Sequence, residues 1–159
     1  MTGRLAGKVA LITGVGGGIG AVAAARFAAE GARVSGCDLD VDSAAATEAA
    51  VRAAGGEITV TGGVDLGDAD AARAWVDAAV STYDGLDVLY NNASTQRFAP
   101  LDELTVAEWD FTMRNELDLV YYTVRAAWPH LKATGGGSIL NVGSIAAIRG
   151  VEFMAQNAH

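Results

Sequence analysis

Eight residues near the amino terminus, Thr13-Gly14-Val15-Gly16-Gly17-Gly18-Ile19-Gly20, constrain the fold more than any other stretch. An apolar run, Val9-Ala10-Leu11-Ile12, leads into them, and an alanine-rich segment from Ala21 to Glu30 follows. This order reads as strand, glycine turn and helix. A strand that turns sharply needs glycine, because only glycine adopts positive φ without a Cβ penalty. Glycine also lets backbone N–H groups approach a bound group, and the following helix directs its positive end there. Together these make an anion site suited to a phosphate or pyrophosphate. A G-x-G-x-x-G match in so glycine-rich a loop would also arise from a plain flexible turn. The context points further: a strand before, a helix after, and an acid about 20 residues on.

That acid is Asp38, which ends a second apolar stretch, Ala32-Arg33-Val34-Ser35-Gly36-Cys37. In a dinucleotide-binding βαβ unit, a carboxylate here accepts hydrogen bonds from both hydroxyls of the adenosine ribose. It also repels a 2′-phosphate: at about 4 Å and an effective dielectric near 20, each charge pair costs roughly 4 kcal/mol before screening. No basic residue follows Asp38 at once, and Val15 supplies no cation in the loop. NAD is therefore expected in preference to NADP.

The length, 159 residues, suits one domain, and 51% hydrophobic residues suffice for a core. A formal net charge of −8 argues against nucleic acid and anionic membranes as partners. A single cysteine, Cys37, excludes a disulfide framework and fits a reducing cytoplasm. The amino terminus lacks a signal-peptide core, and no stretch approaches the length of a transmembrane helix.

Further along, strands and helices alternate. The first helix places Ile19, Ala23 and Phe27 on one face and stops at Gly31. A strand over Arg33 to Cys37 precedes a helix capped by Asp42 or Ser43. The strand Glu57 to Val64 delivers Asp65-Leu66. Asp68 caps the next helix, with Trp75, Val76, Ala79, Val80 and Tyr83 as its apolar face. The strand Asp87 to Tyr90 is short and apolar, as one buried on both faces should be. The longest helix opens with a capping box, Thr105-x-x-Glu108. It continues a stripe of Leu117, Val120, Tyr121, Val124, Trp128 and Leu131, with Pro129 expected to kink or end it. A last strand covers Ser138 to Val142. The alternation predicts a Rossmann-like doubly wound parallel sheet, three-layer α/β/α, in a single domain over 1–159 with its C-terminal strands missing. Its ligand crevice should lie at the carboxyl ends of strands one and four, where strand order reverses.

Asn91-Asn92-Ala93 after the fourth strand joins Thr13-Gly14-x-x-x-Gly18-x-Gly20, Asp38, Asp65 and Asn141-Val142-Gly143-Ser144. With these motifs in this order, the chain resembles the classical short-chain dehydrogenases/reductases from about Leu5 onward. The resemblance implies an NAD-dependent oxidoreductase that transfers hydride between nicotinamide and a small-molecule alcohol or ketone. Gly14, Gly16, Gly18 and Gly20 would form the pyrophosphate turn, with Ile19 beside it, and Asp38 would hold the adenosine ribose. Asp65 and Leu66 would border the adenine, and Asn91 and Ala93 the nicotinamide half. Ser144 matches the serine that hydrogen-bonds the substrate oxygen. Ser94 stands where the family often has glycine. Homo-oligomerisation through the long helix, in a full-length protein, is also implied.

Three departures from the family pattern stand out. Counting from Trp109 and back from Pro129, the position of the family's helical asparagine falls on Glu116, with Asn115 one place early. Either Glu116 replaces that asparagine or the helix is locally reregistered. The family's tyrosine base and the lysine beyond it are not seen. The tail Gln156-Asn157-Ala158-His159 resembles the segment ending in that tyrosine, which puts His159 in its slot if two residues are inserted. Imidazole, with an ordinary pKa near 6.5, is a credible base. The catalytic expectation therefore rests on Ser144, Glu116 and His159. With only two histidines and one cysteine, a zinc site is not expected. The alternative reading is a non-catalytic dinucleotide-binding fragment or a degenerate relative.

Overall fold

The computed structural model describes residues 3–149 and residue 152; His159 lies outside them. Five strands form one parallel sheet: β1 (Val9–Thr13), β2 (Arg33–Asp38), β3 (Glu57–Gly62), β4 (Val88–Asn91) and β5 (Ser138–Asn141). Their order is β3-β2-β1-β4-β5, so the chain reverses direction across the sheet between β1 and β4. Ile12 lies opposite Gly36 on one side and Tyr90 on the other, which sets the carboxyl ends of the central strands level.

Successive residues of β1 face opposite sides of the sheet, and this alternation builds two cores. Val9 and Leu11 join Leu89 beneath α3 (Ala69–Tyr83) and α5 (Leu119–Ala133), where Trp75, Val76, Leu119 and Leu131 fill the layer. Ala10 and Ile12 join Val34 and Val88 beneath α1 (Gly18–Ala29) and α2 (Val41–Ala53), packed mainly by Ala24, Ala28 and Val51. The small residues of α1 let it lie close over the sheet. No helix among the described residues is long and apolar enough to cross a membrane.

The structure corrects several local expectations. The buried face of α1 is Gly20, Ala24 and Ala28, one residue on from the face read from Ile19, Ala23 and Phe27. Ile19 is 62% exposed, because the glycine turn aims the first helical turn across the crevice instead of onto the sheet. Asp40, not Asp42 or Ser43, caps α2, its carboxylate accepting the Ser43 N–H at 2.7 Å.

The long helix is in three parts: α4 (Val106–Met113), a π turn over Arg114–Asp118 and α5. The Leu119 N–H reaches back to the Arg114 carbonyl, the five-residue step of a π turn. The inserted residue rotates the later helical turns, so the buried stripe is Leu119, Thr123, Ala127 and Leu131. Leu117, Tyr121 and Trp128 are each more than half exposed, against the expected stripe. Pro129 does not end the helix, which continues to Ala133. The helix starts match expectation better: Thr105 and Glu108 bond each other's backbone as a capping box, and Asp68 caps α3.

Candidate active site

A cavity of about 680 Å³ lies over the carboxyl ends of β1 and β4, at the reversal point. Ligand sites commonly occupy about 300–1,000 Å³. Its floor comes from the glycine turn (Gly14, Gly17, Gly18, Ile19). One wall is the end of β2 with Cys37, Asp38 and Leu39. The opposite walls are Val64 to Gly67 after β3 and Asn92 to Thr95 after β4, with Asn115, Leu119 and Val142 closing the far side.

Among the described residues, four α-helices start from loops, and three of them have side-chain caps: Asp40 on α2, Asp68 on α3 and Thr105 on α4. The N-cap of α1, Gly17, makes no side-chain hydrogen bond, and the first turn holds no acid. Its leading N–H groups are the orphan donors that every helix start carries, and they open onto the cavity floor. Donors arranged in this way suit an anion such as a phosphate or pyrophosphate. The glycines are there for different reasons. Gly14, at φ 72°, makes the turn, and a Cβ on it would lie 2.8 Å from Ala93 Cα. A Cβ on Gly20 would lie 1.9 Å from the Gly14 carbonyl oxygen, so this glycine lets α1 close onto the turn. Gly17 and Gly18 have open space where a Cβ would be. Gly16 and Gly20 do not line the cavity. The Gly16 N–H is turned sideways to donate to Asp38 Oδ2 at 2.7 Å.

Asp38 therefore stands fixed at the end of β2, its other oxygen accepting the Asp40 N–H at 2.9 Å. Each carboxylate oxygen keeps a further lone pair for a ligand hydroxyl. Burial pushes the neighbouring Cys37 thiol well above its ordinary range, so it stays protonated beside this acid.

After β3, Asp65 and Leu66 line the cavity. Asp65 Oδ1 accepts the Gly67 N–H at 3.0 Å, and Oδ2 accepts Arg114 Nη2 at 2.8 Å. The Arg114 hydrogen bond, against a smaller effect of burial, holds the Asp65 carboxyl below its ordinary value.

After β4 the two asparagines divide their work. Asn91 is buried and does not line the cavity. Its Nδ2 donates to Asn141 Oδ1 and its Oδ1 accepts from Thr123 Oγ1, each at 2.8 Å. Asn91 thus ties β4 to β5 and α5 and stays out of the cavity lining. Asn92, Ala93 and Ser94 line the cavity in its place. Thr13 Oγ1 accepts the Asn92 and Ala93 N–H groups at 2.9 Å, and Asn92 Nδ2 donates to the Thr13 and Gly14 carbonyls. The loop after β4 is thereby fastened to the glycine turn.

The π turn shows how the ambiguity at Asn115 and Glu116 is arranged. The inserted residue puts Asn115 on the cavity wall, its Nδ2 donating to the Phe111 carbonyl at 2.7 Å. Glu116 lies off the wall and accepts the Ser94 hydroxyl at 2.5 Å. The two residues that depart from the usual pattern, Ser94 and Glu116, are thus partners. Ser144 follows β5 at the same end of the sheet, outside the cavity lining, and its Oγ accepts the Ala146 N–H at 3.1 Å. Its hydroxyl proton is left for another acceptor. Among the described residues, no cluster of histidine, cysteine and acids could hold a metal.

Arg114, Asn92 and Thr13 are the site residues that sequence reasoning missed. Asn92 and Thr13 lie inside motifs whose other members were singled out. Arg114 meets Asp65 across 49 residues of chain, and nothing local marks the pair.

Comparison with known proteins agrees with this fold. A family model for short chain dehydrogenases matches residues 8–156. D-threitol dehydrogenase of Mycolicibacterium smegmatis is 37% identical over 146 residues, 91% of this chain and 55% of that protein. A 2,5-dichloro-2,5-cyclohexadiene-1,4-diol dehydrogenase of Sphingobium indicum is 38% identical over 145 residues, 91% of this chain and 58% of that one. The crystal structure of a short-chain dehydrogenase/reductase from Burkholderia xenovorans superposes with a TM-score of 0.92 at 35% identity, covering 98% of this chain and 64% of that one. NAD+-bound xylitol dehydrogenase superposes with the same TM-score, 0.92, at 29% identity, covering 97% and 59%. The chain spans a little over half the length of the two relatives matched by sequence.

Proposed function

The chain belongs to the short-chain dehydrogenase family, and from that premise we propose that it forms the cofactor-binding part of an NAD-dependent oxidoreductase acting on a hydroxylated small molecule in the cytoplasm. The observation that carries the reading is the uncapped start of α1 opening onto the cavity floor, with Asp38 fixed at the adjoining wall. The donor set fits a dinucleotide: orphan N–H groups for the pyrophosphate, a carboxylate for ribose hydroxyls, and Asp65 with Leu66 for the adenine. Asp38 favours NAD over NADP by charge. The xylitol dehydrogenase neighbour was solved with NAD+, which supports the choice.

A bound nicotinamide supplies the hydride acceptor or donor. The chain's own residues do the rest. Ser144, its Oγ already accepting the Ala146 N–H, donates its proton to the substrate oxygen and steadies charge that develops there. His159, which sequence position puts in the tyrosine slot once two residues are inserted, takes or returns the hydroxyl proton, work that an imidazole can do. Glu116, held by Ser94, fills the family's asparagine position in sequence, while Asn115 reaches the cavity. The names of the relatives, a threitol and a cyclic diol dehydrogenase, favour a substrate with more than one hydroxyl. Leu117, Tyr121 and Trp128, exposed along the long helix, are the proposed contact between copies in the full-length protein.

The test is steady-state oxidation of a panel of diols and polyols by the full-length gene product, followed through reduced nicotinamide. Turnover with NAD is expected, with Ser144→Ala lowering kcat by about 10²-fold or more, as loss of a donor to a developing oxyanion does. Absence of turnover across the panel with either NAD or NADP would contradict the proposal.

A further inference from the structure

The Asp65–Arg114 pair has little to offer the fold. The side chains of Asp65 and Arg114 are 47% and 40% exposed, and pairs so open to water contribute little to stability. Yet the pair is built with care. Asp65 is gripped from both sides, by the Gly67 N–H on Oδ1 and by Arg114 Nη2 on Oδ2. The guanidinium lies against Gly67 so closely that a Cβ there would come within 2.5 Å of Arg114 Cζ. Arg114 also begins the π turn, and the next residue, Asn115, stands on the wall of the same cavity as Asp65 and Gly67.

We propose that Arg114 is the positioning residue for base recognition: it fixes the Asp65 carboxylate as an acceptor facing the purine and so sets the preference for an adenine amino group. The inference rests on the dinucleotide reading of the cavity. An ionised carboxylate only accepts hydrogen bonds. Held in one orientation, it favours a base carrying an amino donor over one carrying a carbonyl oxygen at the same place. Released from the guanidinium, the carboxylate rotates toward water and the discrimination weakens. Lysine keeps a cation at the end of a long stem but not the planar fork, so it restores the grip in part.

The experiment measures binding of NAD and of nicotinamide hypoxanthine dinucleotide, in which a carbonyl oxygen replaces the adenine amino group, to the full-length protein and its variants. The unmodified protein should prefer NAD by about tenfold. In Arg114→Leu the ratio should fall to about threefold or less, and Arg114→Lys should lie between. Gly67→Ala, whose methyl displaces the guanidinium without altering either charged partner, should reproduce the fall. The ratio separates positioning from a merely structural role, which would weaken both dinucleotides equally. Arg114→Leu with an unchanged ratio, or an unmodified protein without a preference, would overturn the role of Arg114 and leave the NAD site standing. Failure of the unmodified protein to bind either dinucleotide would overturn the cavity assignment and this inference together.

Discussion

Gly20 shows how much of the site rests on single atoms. Replacing a helical glycine with alanine ordinarily gains about 1 kcal/mol of helix propensity. Here the added carbon would meet the Gly14 carbonyl oxygen at 1.9 Å, backbone that has nowhere to go. Overpacking of this kind costs about 1–3 kcal/mol. Gly20→Ala should therefore lower the denaturant midpoint and weaken dinucleotide binding; an unchanged midpoint would show that α1 does not close on the turn as described. Asp87 gives a second residue-scale expectation. Burial pushes its carboxyl up, but Lys8 Nζ at 2.7 Å and the Val9 N–H at 2.9 Å outweigh this and hold it below its ordinary value. The unfolded chain then binds the proton at higher pH than the folded one. The stabilisation is present above the unfolded carboxylate pKa near 4 and is lost as pH falls through the folded value. Urea midpoints measured across acid pH should fall less steeply for Asp87→Asn than for the unmodified protein.

At the scale of elements, α5 runs through Pro129 although proline lacks the N–H its helix position calls for and crowds the preceding turn. Because Pro129 is exposed and the helix persists around it, Pro129→Ala should stabilise the chain by about 1–3 kcal/mol. Equilibrium unfolding checks this, and a destabilised variant would mean that the proline ring is needed for packing. The element pattern was largely legible because strands buried on both faces and capped helices leave local signatures: β1, β4, Asp68 and the Thr105–Glu108 box were found where their residues put them. The phase of α1 was not legible. Its apolar residues are mostly alanines, which leave the face of Ile19, Ala23 and Phe27 hard to tell from the buried face one residue on. A local change of helix register near Asn115 and Glu116 is one of two options that the sequence leaves open, and nothing in it marks a π turn. A one-residue insertion changes register without changing composition, so the exposed Tyr121 and Trp128 were read as core. In the site, Asp38, Asp65 and Ala93 could be read from motif order, whereas the inward turn of Asn91 depends on Thr123 and Asn141, residues far off in sequence.

For the whole molecule, the sheet divides the work: the α1–α2 side presents the turn and Asp38, and the α3–α5 side brings Asn115 and Leu119 to the opposite wall. The sheet edge at β5 carries exposed Leu140, with Val142 and Ile145 just beyond it, and the long helix exposes Leu117, Tyr121 and Trp128. Exposed apolar side chains of this sort favour association. The chain of 159 residues should sediment as a concentration-dependent mixture, and Tyr121→Glu with Trp128→Glu should shift it toward monomer; a concentration-independent monomer before substitution would contradict that. The claim on which the rest depends is that the crevice between β1 and β4 is an NAD site. It is tested most directly by titrating NADH and NADPH into the protein and following the reduced nicotinamide's fluorescence. Saturable binding of NADH, about tenfold or more tighter than NADPH, with the gap narrowed in Asp38→Ala, is the predicted result. Equal binding of both, or preference for NADPH, would contradict the role given to Asp38, and binding of neither would remove the site itself.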